Sequence, residues 1–180
     1  MSEHGMRPSI IWMKEHFKDK EVIGVELGVF KGTNAMRLIS ELNIKQLSLV
    51  DMWVTPSHWK GAMSYEQNYE FVKETYKASD KVFIYRMDTV KASHIVANET
   101  LDFVYVDGDH YYEGCRRDIE AWYPKLKKGG VIIGHDYHCR MGVAQAFNEL
   151  ISVNDSIFWT FDAIGIYDKV KYGEVVVIKE

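Results

Sequence analysis

The chain of 180 residues is short of the features that mark secreted, membrane-bound or nucleic-acid-binding proteins. Its only cysteines are Cys115 and Cys139, with no CxxC spacing. That argues against a disulfide framework and a cysteine-rich zinc site, and suits free thiols in a reducing cytosol. The opening MSEHGMRPSIIWMKEHF holds no apolar stretch of signal-peptide length, and no segment approaches the roughly 18 apolar residues of a membrane span. A soluble, cytoplasmic protein with no membrane partner is expected. Acids outnumber Lys and Arg by 26 to 22, for a net charge of -4, so nothing attracts nucleic acid in general. The one tight basic group, Lys125, Lys127 and Lys128, is explained by cations favoured at a helix end. Repeats, low-complexity tracts and linkers are also missing, which leaves one domain over residues 1–180 with an N-terminal helical segment over 1–19.

What is present alternates between two periods. Pro8 and Ser9 start an amphipathic helix over 9–18. Val22 to Leu27 reads as a strand, followed by a turn holding Gly28 and Gly32, and by a helix opening at Thr33 or Asn34 and running through Leu42. Leu47 to Val50 is a second strand. The segment 52–63, rich in Trp, His, Pro and Gly, is either a loop folded over a pocket or a plain surface connection. A helix over Tyr65 to Ala78, a strand over Val82 to Tyr85 and a short helix over Thr89 to Val96 follow. After residue 137, Val143, Ala144, Phe147, Leu150 and Ile151 mark a further helix. Ile157 to Phe161 and Glu174 to Ile178 read as final strands, with a hairpin-like DKVKYG between them. The order predicts a three-layer αβα sandwich on a Rossmann-like, seven-stranded sheet, mostly parallel with a terminal antiparallel strand.

The chemistry gathers in Leu101 to Tyr137. Two continuous apolar runs, Leu101 to Val106 and Val131 to Ile133, suit buried parallel strands. Ile119, Trp122, Tyr123 and Leu126 recur at helical spacing between them, with Gly129-Gly130 as the expected helix stop. A right-handed crossover then brings both strand ends to one sheet edge. Asp107, Asp109 and His110 would there face the same crevice as His135 and Asp136, at the edge where open α/β sheets bind ligands. His110 lies three residues past Asp107, and its plain reading is a helix-start histidine bonded to Asp109, although an unperturbed imidazole can accept a proton near neutral pH. Asp109 itself suits a helix cap. His58, His94 and His138 have no partner legible in the sequence, and a zinc cluster built from HDYHC and His110 lacks a matching pair.

The first turn reads ExGxxxG through Glu26, Gly28 and Gly32, without the GxGxxG spacing that seats a pyrophosphate. An acid at that strand end would repel phosphates and suit a cationic sulfonium. Asp51, 23 residues beyond Gly28, is placed to accept from ribose hydroxyls.

The set VELGVFKGTNA, LVDMW, RMDT, FVYVDGDHYYEG and LKKGGVIIGHDY resembles the class I S-adenosylmethionine (SAM)-dependent methyltransferases, in particular the group containing macrocin O-methyltransferase and cephalosporin hydroxylase-like proteins. It is similar, more distantly, to catechol O-methyltransferases. The resemblance covers about residues 20–140. It implies that Glu26, Gly28 and Gly32 cradle the methionine and ribose of SAM, that Asp51 holds the ribose hydroxyls, and that Trp53 packs against the adenine. Asp88, with Met87 or Thr89 beside it, would meet the adenine amino group; a helix-cap role for Asp88 remains the alternative. It further implies a divalent metal, magnesium or alternatively manganese, on Asp107 and the pair His135-Asp136, with His110 as base and a hydroxyl of a small molecule or sugar as acceptor. Two carboxylates suit magnesium, and a histidine ligand shifts the choice toward manganese, iron or zinc. The readings carried beside it are a nicotinamide-dependent oxidoreductase and a non-catalytic SAM-binding module. The few residues left over to build a substrate lid suggest a homo-oligomer.

Overall fold

The computed structural model describes residues 7–54, 64–154, 156–164 and 171–180. Most of the expected 52–63 loop, His58 and the first half of DKVKYG (168–170) lie outside the described residues. Five strands, β1 (Val22–Leu27), β2 (Ile44–Asp51), β3 (Val82–Arg86), β4 (Leu101–Val106) and β5 (Leu126–Gly134), pair in parallel. β6 (Phe158–Ile164) and β7 (Lys171–Ile178) complete one seven-stranded sheet of order β3-β2-β1-β4-β5-β7-β6, in which β7 runs antiparallel to both neighbours. The expected sheet is the one that forms.

The layers follow from side-chain alternation along the strands. Phe103 and Tyr105 face one core with Ile10, Met13, Leu38 and Val72 of α1 (Pro8–Phe17), α2 (Thr33–Glu41) and α3 (Tyr65–Tyr76). Val104 and Val106 face the other, with Ala92, Ile119, Trp122 and Phe147 of α4 (Thr89–Ser93), α5 (Tyr112–Trp122) and α6 (Met141–Asn154). β4 is buried along its whole length, as the central strand of a two-faced parallel sheet should be.

Some expected elements form differently: β7 starts at Lys171, inside the expected DKVKYG loop, α4 stops at Ser93 short of Val96, and the segment after α5 changes most. The helix does not run to Leu126, nor do Gly129 and Gly130 end it: α5 stops at Trp122, Tyr123–Lys125 form a single 3-10 turn, and Leu126 already pairs with Leu101 as the first residue of β5. Pro124 lies in that turn and has no amide to extend the helical ladder. The lysines are therefore not helix-end cations. Lys127 Nζ sits 2.9 Å from Asp102 Oδ2, on a buried carboxylate that also takes Lys20 at 2.9 Å and the amide of Ile23.

The strand order reverses at β1, whose neighbours are β2 and β4. Beyond the carboxyl ends of such a pair the outgoing loops diverge and leave a crevice.

Candidate functional site

A cavity of about 670 Å³ opens over that crevice, within the range of small-molecule and cofactor sites. Its walls carry Glu26, Gly28, Asn34, Asp51, Asp88, Thr89, Asp107, Asp109, His110 and Asp118, together with Arg7 from the chain start.

The floor is the turn after β1. Gly28 has φ +84, and a Cβ there would lie 2.2 Å from the Asp107 carbonyl oxygen, so only glycine lets the β1 exit press against the end of β4. Gly32, at φ +72, is the left-handed residue before α2; it does not itself line the cavity, while Thr33 and Asn34 after it do. Asp51 ties the turn down: Oδ2 accepts from the amides of Val29 (2.9 Å) and Phe30 (3.0 Å), and Oδ1 from that of Trp53 (2.7 Å). Trp53 turns into the core. It is 1% exposed, its indole N–H donates to the Phe30 carbonyl at 2.9 Å and its ring packs on Tyr69, so it braces the turn from behind and is absent from the cavity wall. Met87 also packs into a core, the one beneath α4.

Asp88 both lines the cavity and caps α4, its Oδ1 accepting from the Lys91 amide at 3.0 Å; the two readings of this residue coexist in the geometry. Thr89 donates to the buried Asp118, and the indole of Trp122 donates to the Thr89 carbonyl at 3.0 Å. Burial pushes Asp118 up to about 6.

Glu26 is the most isolated acid. It is 1% exposed, and its polar neighbour is the side-chain amide of Asn34, close enough to act on it but, among the described residues, forming no well-aligned hydrogen bond with it. Burial first, and the Asp107 charge second, push Glu26 up to about 8. Unsatisfied buried polar atoms on a cavity wall ask for a ligand or water that satisfies them.

The opposite wall holds the acid and histidine cluster. Asp107 follows β4 and His135-Asp136 follow β5, and the crossover brings them together. His110 Nε2 lies 3.1 Å from Asp136 Oδ2 and 3.7 Å from Asp107 Oδ1; His135 Nδ1 lies 3.1 Å from Asp107 Oδ1 and 3.2 Å from Asp136 Oδ1. Asp136 adopts φ +62, a left-handed conformation that aspartate tolerates better than most residues. Asp109 does not bond His110; its Oδ1 accepts from the Tyr111 amide at 2.9 Å and shapes the turn before α5. His94 follows α4 as its C-cap, and His138 lies 3.2 Å from Asp162, both away from the cavity wall.

Sequence reasoning missed the cation that completes this cluster. Arg7 Nη1 donates to Asp107 Oδ2 at 2.9 Å and to the Tyr105 hydroxyl at 3.1 Å, and the guanidinium lies over the Tyr105 ring. Tyr105 in turn donates to Glu174, which also accepts from the Ser9 amide at 2.9 Å. Burial alone would raise Asp107, but Arg7 and then the imidazoles of His135 and His110 hold it well below the usual carboxylate range. The neighbouring carboxylates of Asp107 and Asp136 push His110 up to about 9. The imidazole is therefore not poised near neutrality, as an unperturbed histidine would be, because two carboxylates stabilise its cation. Among the described residues, no group of three or more His, Cys, Asp or Glu is arranged to hold a metal ion. The carboxylates of Asp107 and Asp136 are instead taken up by imidazoles and by the guanidinium.

The sequence profile of a family described as "Methyltransferase domain" matches residues 25–137, which span the floor and both walls. An uncharacterised protein of Sinorhizobium fredii is 25% identical over 169 residues, covering 86% of this chain but only 17% of its own length. An uncharacterised protein of Acanthamoeba polyphaga mimivirus is 24% identical over 173 residues, 89% of this chain and 74% of its own. The fold is similar to a solved O-methyltransferase from Bacillus cereus in complex with S-adenosylhomocysteine (SAH) (TM-score 0.67, 15% identity, 98% of this chain and 83% of that one). It is similar also to a putative caffeoyl-CoA O-methyltransferase from Staphylococcus aureus (0.68, 16%, 97% and 84%) and to an rRNA methylase from Streptococcus thermophilus (0.69, 14%, 97% and 98%).

Proposed function

The chain belongs to this methyltransferase-domain family and is a SAM-dependent methyltransferase; on that premise we propose that it methylates a hydroxyl oxygen of a small molecule or sugar, with His110 as the base. The observation that carries this reading is the imidazole of His110 on the cavity wall, held 3.1 Å from Asp136 and 3.7 Å from Asp107. A hydroxyl is a weak nucleophile until its proton is being removed. In the proposed reaction the acceptor oxygen forms a bond to the methyl carbon of SAM, the carbon–sulfur bond breaks, its electron pair stays on sulfur to give neutral SAH, and the proton passes to neutral His110.

Glu26 and Gly28 are proposed to form the cradle for the methionine and ribose, with Asp51 holding the turn and offering its remaining lone pairs to the ribose hydroxyls. Asp88 and Thr89 are proposed at the adenine. Glu26 and Asn34 support the assignment by their unsatisfied polar atoms, which a ligand carrying an ammonium and a sulfonium would pair. For Trp53, Met87 and Gly32 the proposed role is support of the turn from behind, since none of them lines the cavity.

By type, Asp107, His135 and Asp136 would suit magnesium or manganese. Their arrangement does not, because Asp107 Oδ2 already accepts from Arg7 and the imidazoles of His110 and His135 crowd the remaining carboxylate oxygens, with no group of three or more such residues arranged to hold an ion among the described residues. No step of the proposed mechanism is therefore routed through an ion.

The test pairs a SAM and SAH titration with methyl transfer from labelled SAM to a panel of phenols, catechols and sugars, on wild type and His110→Gln. Wild type should bind both compounds, and the substitution should leave SAM affinity within about threefold while transfer falls on the order of 10² to 10⁴. With His110 at about 9, about 1% is neutral at pH 7 and the rate should rise roughly tenfold per pH unit toward 9. Equal turnover by His110→Gln and wild type would remove His110 as base.

A further inference from the structure

We infer that the guanidinium of Arg7 is the resident cation of this site, seated on Asp107 where a divalent ion would otherwise bind. The inference rests on the methyltransferase reading only in so far as Asp107 and His110 face the reacting hydroxyl.

Arg7 immediately precedes α1, and Pro8 begins that helix. The amide of Ser9 is held by Glu174, and its hydroxyl lies 3.3 Å from that of Tyr105. The start of α1 is thus bolted to β4 and β7, and Arg7 is aimed at the carboxyl end of β4. Its side chain is 18% exposed and that of Asp107 15%, so the pair meets largely out of water. A buried carboxylate demands a counter-charge. Three acids converge here, Asp107, Glu26 and Glu174: Arg7 Nη1 donates to Asp107 at 2.9 Å and to the Tyr105 hydroxyl at 3.1 Å, and Tyr105 in turn donates to Glu174.

A metal ion and a guanidinium cannot share the same carboxylate oxygens at contact distance. Hard divalent ions need two or more oxygen ligands free to turn toward one centre. Here Asp107 Oδ2 accepts from Arg7 at 2.9 Å, and Asp107 Oδ1 is crowded by His135 Nδ1 at 3.1 Å and His110 Nε2 at 3.7 Å. A guanidinium also offers what an ion would, positive charge beside the oxygen losing its proton, together with directed donors. Its bonds to Tyr105 and Asp107 both leave through Nη1. Among the described residues, Nε and Nη2 have no partner, and Arg7 lines the cavity, so those donors can meet an acceptor oxygen.

The test is calorimetric titration of manganese chloride into SAM-loaded wild type, Arg7→Ala and the double variant Arg7→Ala/Asp107→Asn, with a thermal melt to establish that each is folded. Arg7→Gln replaces Arg7→Ala should the latter not fold. Wild type should show no binding up to about 1 mM. Arg7→Ala should gain a site at least tenfold tighter, and Asp107→Asn should abolish the gain. Manganese bound by wild type within threefold of Arg7→Ala would overturn the inference, and so would a folded Arg7→Ala that binds none. Titration of SAM in the same samples reads the methyltransferase assignment independently. Loss of SAM binding in wild type would sink that assignment and leave the manganese comparison intact.

Discussion

Glu26 and Asp107 make an instructive pair. Each is a strand-end acid on adjoining strands, each lines the same cavity, and each is withdrawn from water. Burial acts on both in the same direction, yet Glu26 is pushed up to about 8 and Asp107 is held well below the carboxylate range. The difference is the company they keep. Asp107 is hydrogen-bonded by the Arg7 guanidinium and flanked by two imidazoles, while Glu26 feels the same guanidinium only without a bond, against the Asp107 charge. Depth in the fold therefore does not decide which acid is ionised; counter-charge does. The consequence is a division of roles: Asp107 is charged before any ligand arrives, and Glu26 stays protonated at neutral pH until a cation does.

The strongest way to break this contrast is to neutralise the acid that is charged. Asp107→Asn removes the anion from Arg7, His110 and His135 together while keeping the shape. His110 then loses one of the two carboxylates that orient it, and methyl transfer should fall on the order of 10² to 10⁴, the scale set by general bases and by mis-set imidazoles. Arg7 would be left as a poorly paired cation, a change that costs roughly 3 to 5 kcal/mol at a fully buried pair and less here, where the chain start can swing the side chain outward. Thermal melts and turnover on the same sample measure both. Turnover within tenfold of wild type would show that Asp107 does not support the base.

The complementary experiment replaces the acid that is neutral. Glu26 in the folded chain keeps its proton up to about pH 8, against an ordinary value of 4.5. Between those values the unfolded chain binds fewer protons than the folded one, so the wild type loses stability as pH rises from 5 to 8. Glu26→Gln has no such proton to lose. In the absence of ligand it should therefore gain on the wild type across that window, by on the order of a few kcal/mol at pH 8. With SAM bound the ranking should reverse, because an ionised Glu26 would face the ligand's positive charge. Melting curves at several pH values, with and without SAM, decide it; parallel curves for the two proteins would mean that Glu26 does not titrate late.

The sequence made half of this contrast legible. Apolar runs and turn glycines gave the seven strands and their order of use, and acids at strand ends pointed to Glu26, Asp51, Asp107 and Asp136 because a parallel sheet sends all those ends to one edge. Helical spacing also carried an unused signal: Asp118 falls between Cys115 and Trp122 on the buried stripe of α5, where an acid is out of place unless it faces a cavity. Arg7 left no such trace. Its partner lies 100 residues away, and nothing local to RPSII distinguishes a buried guanidinium from a solvated one. The strand ends did bring His110 and Asp136 to one crevice, but not the distances, 3.1 Å to Asp136 and 3.7 Å to Asp107, that set the imidazole against two carboxylates. Pro124 was legible but overlooked, and it moved the start of β5 by five residues from Val131 to Leu126.

Asp88 offers the finest test, because it stands between the two extremes as an acid at the cavity rim with one local bond. Its Oδ1 caps α4, and asparagine caps a helix about as well as aspartate does. Asp88→Asn should therefore leave the melting temperature nearly unchanged, whereas Asp88→Ala should cost about 1 kcal/mol. A neutral carboxamide is a weaker acceptor for an adenine amino group than a carboxylate, since hydrogen bonds to charged groups contribute roughly 1 kcal/mol more than neutral ones. If Asp88 reads the adenine, the asparagine variant should bind SAM about five- to tenfold more weakly at unchanged stability. If it only caps the helix, SAM affinity will follow stability, with asparagine indistinguishable from wild type and alanine alone impaired.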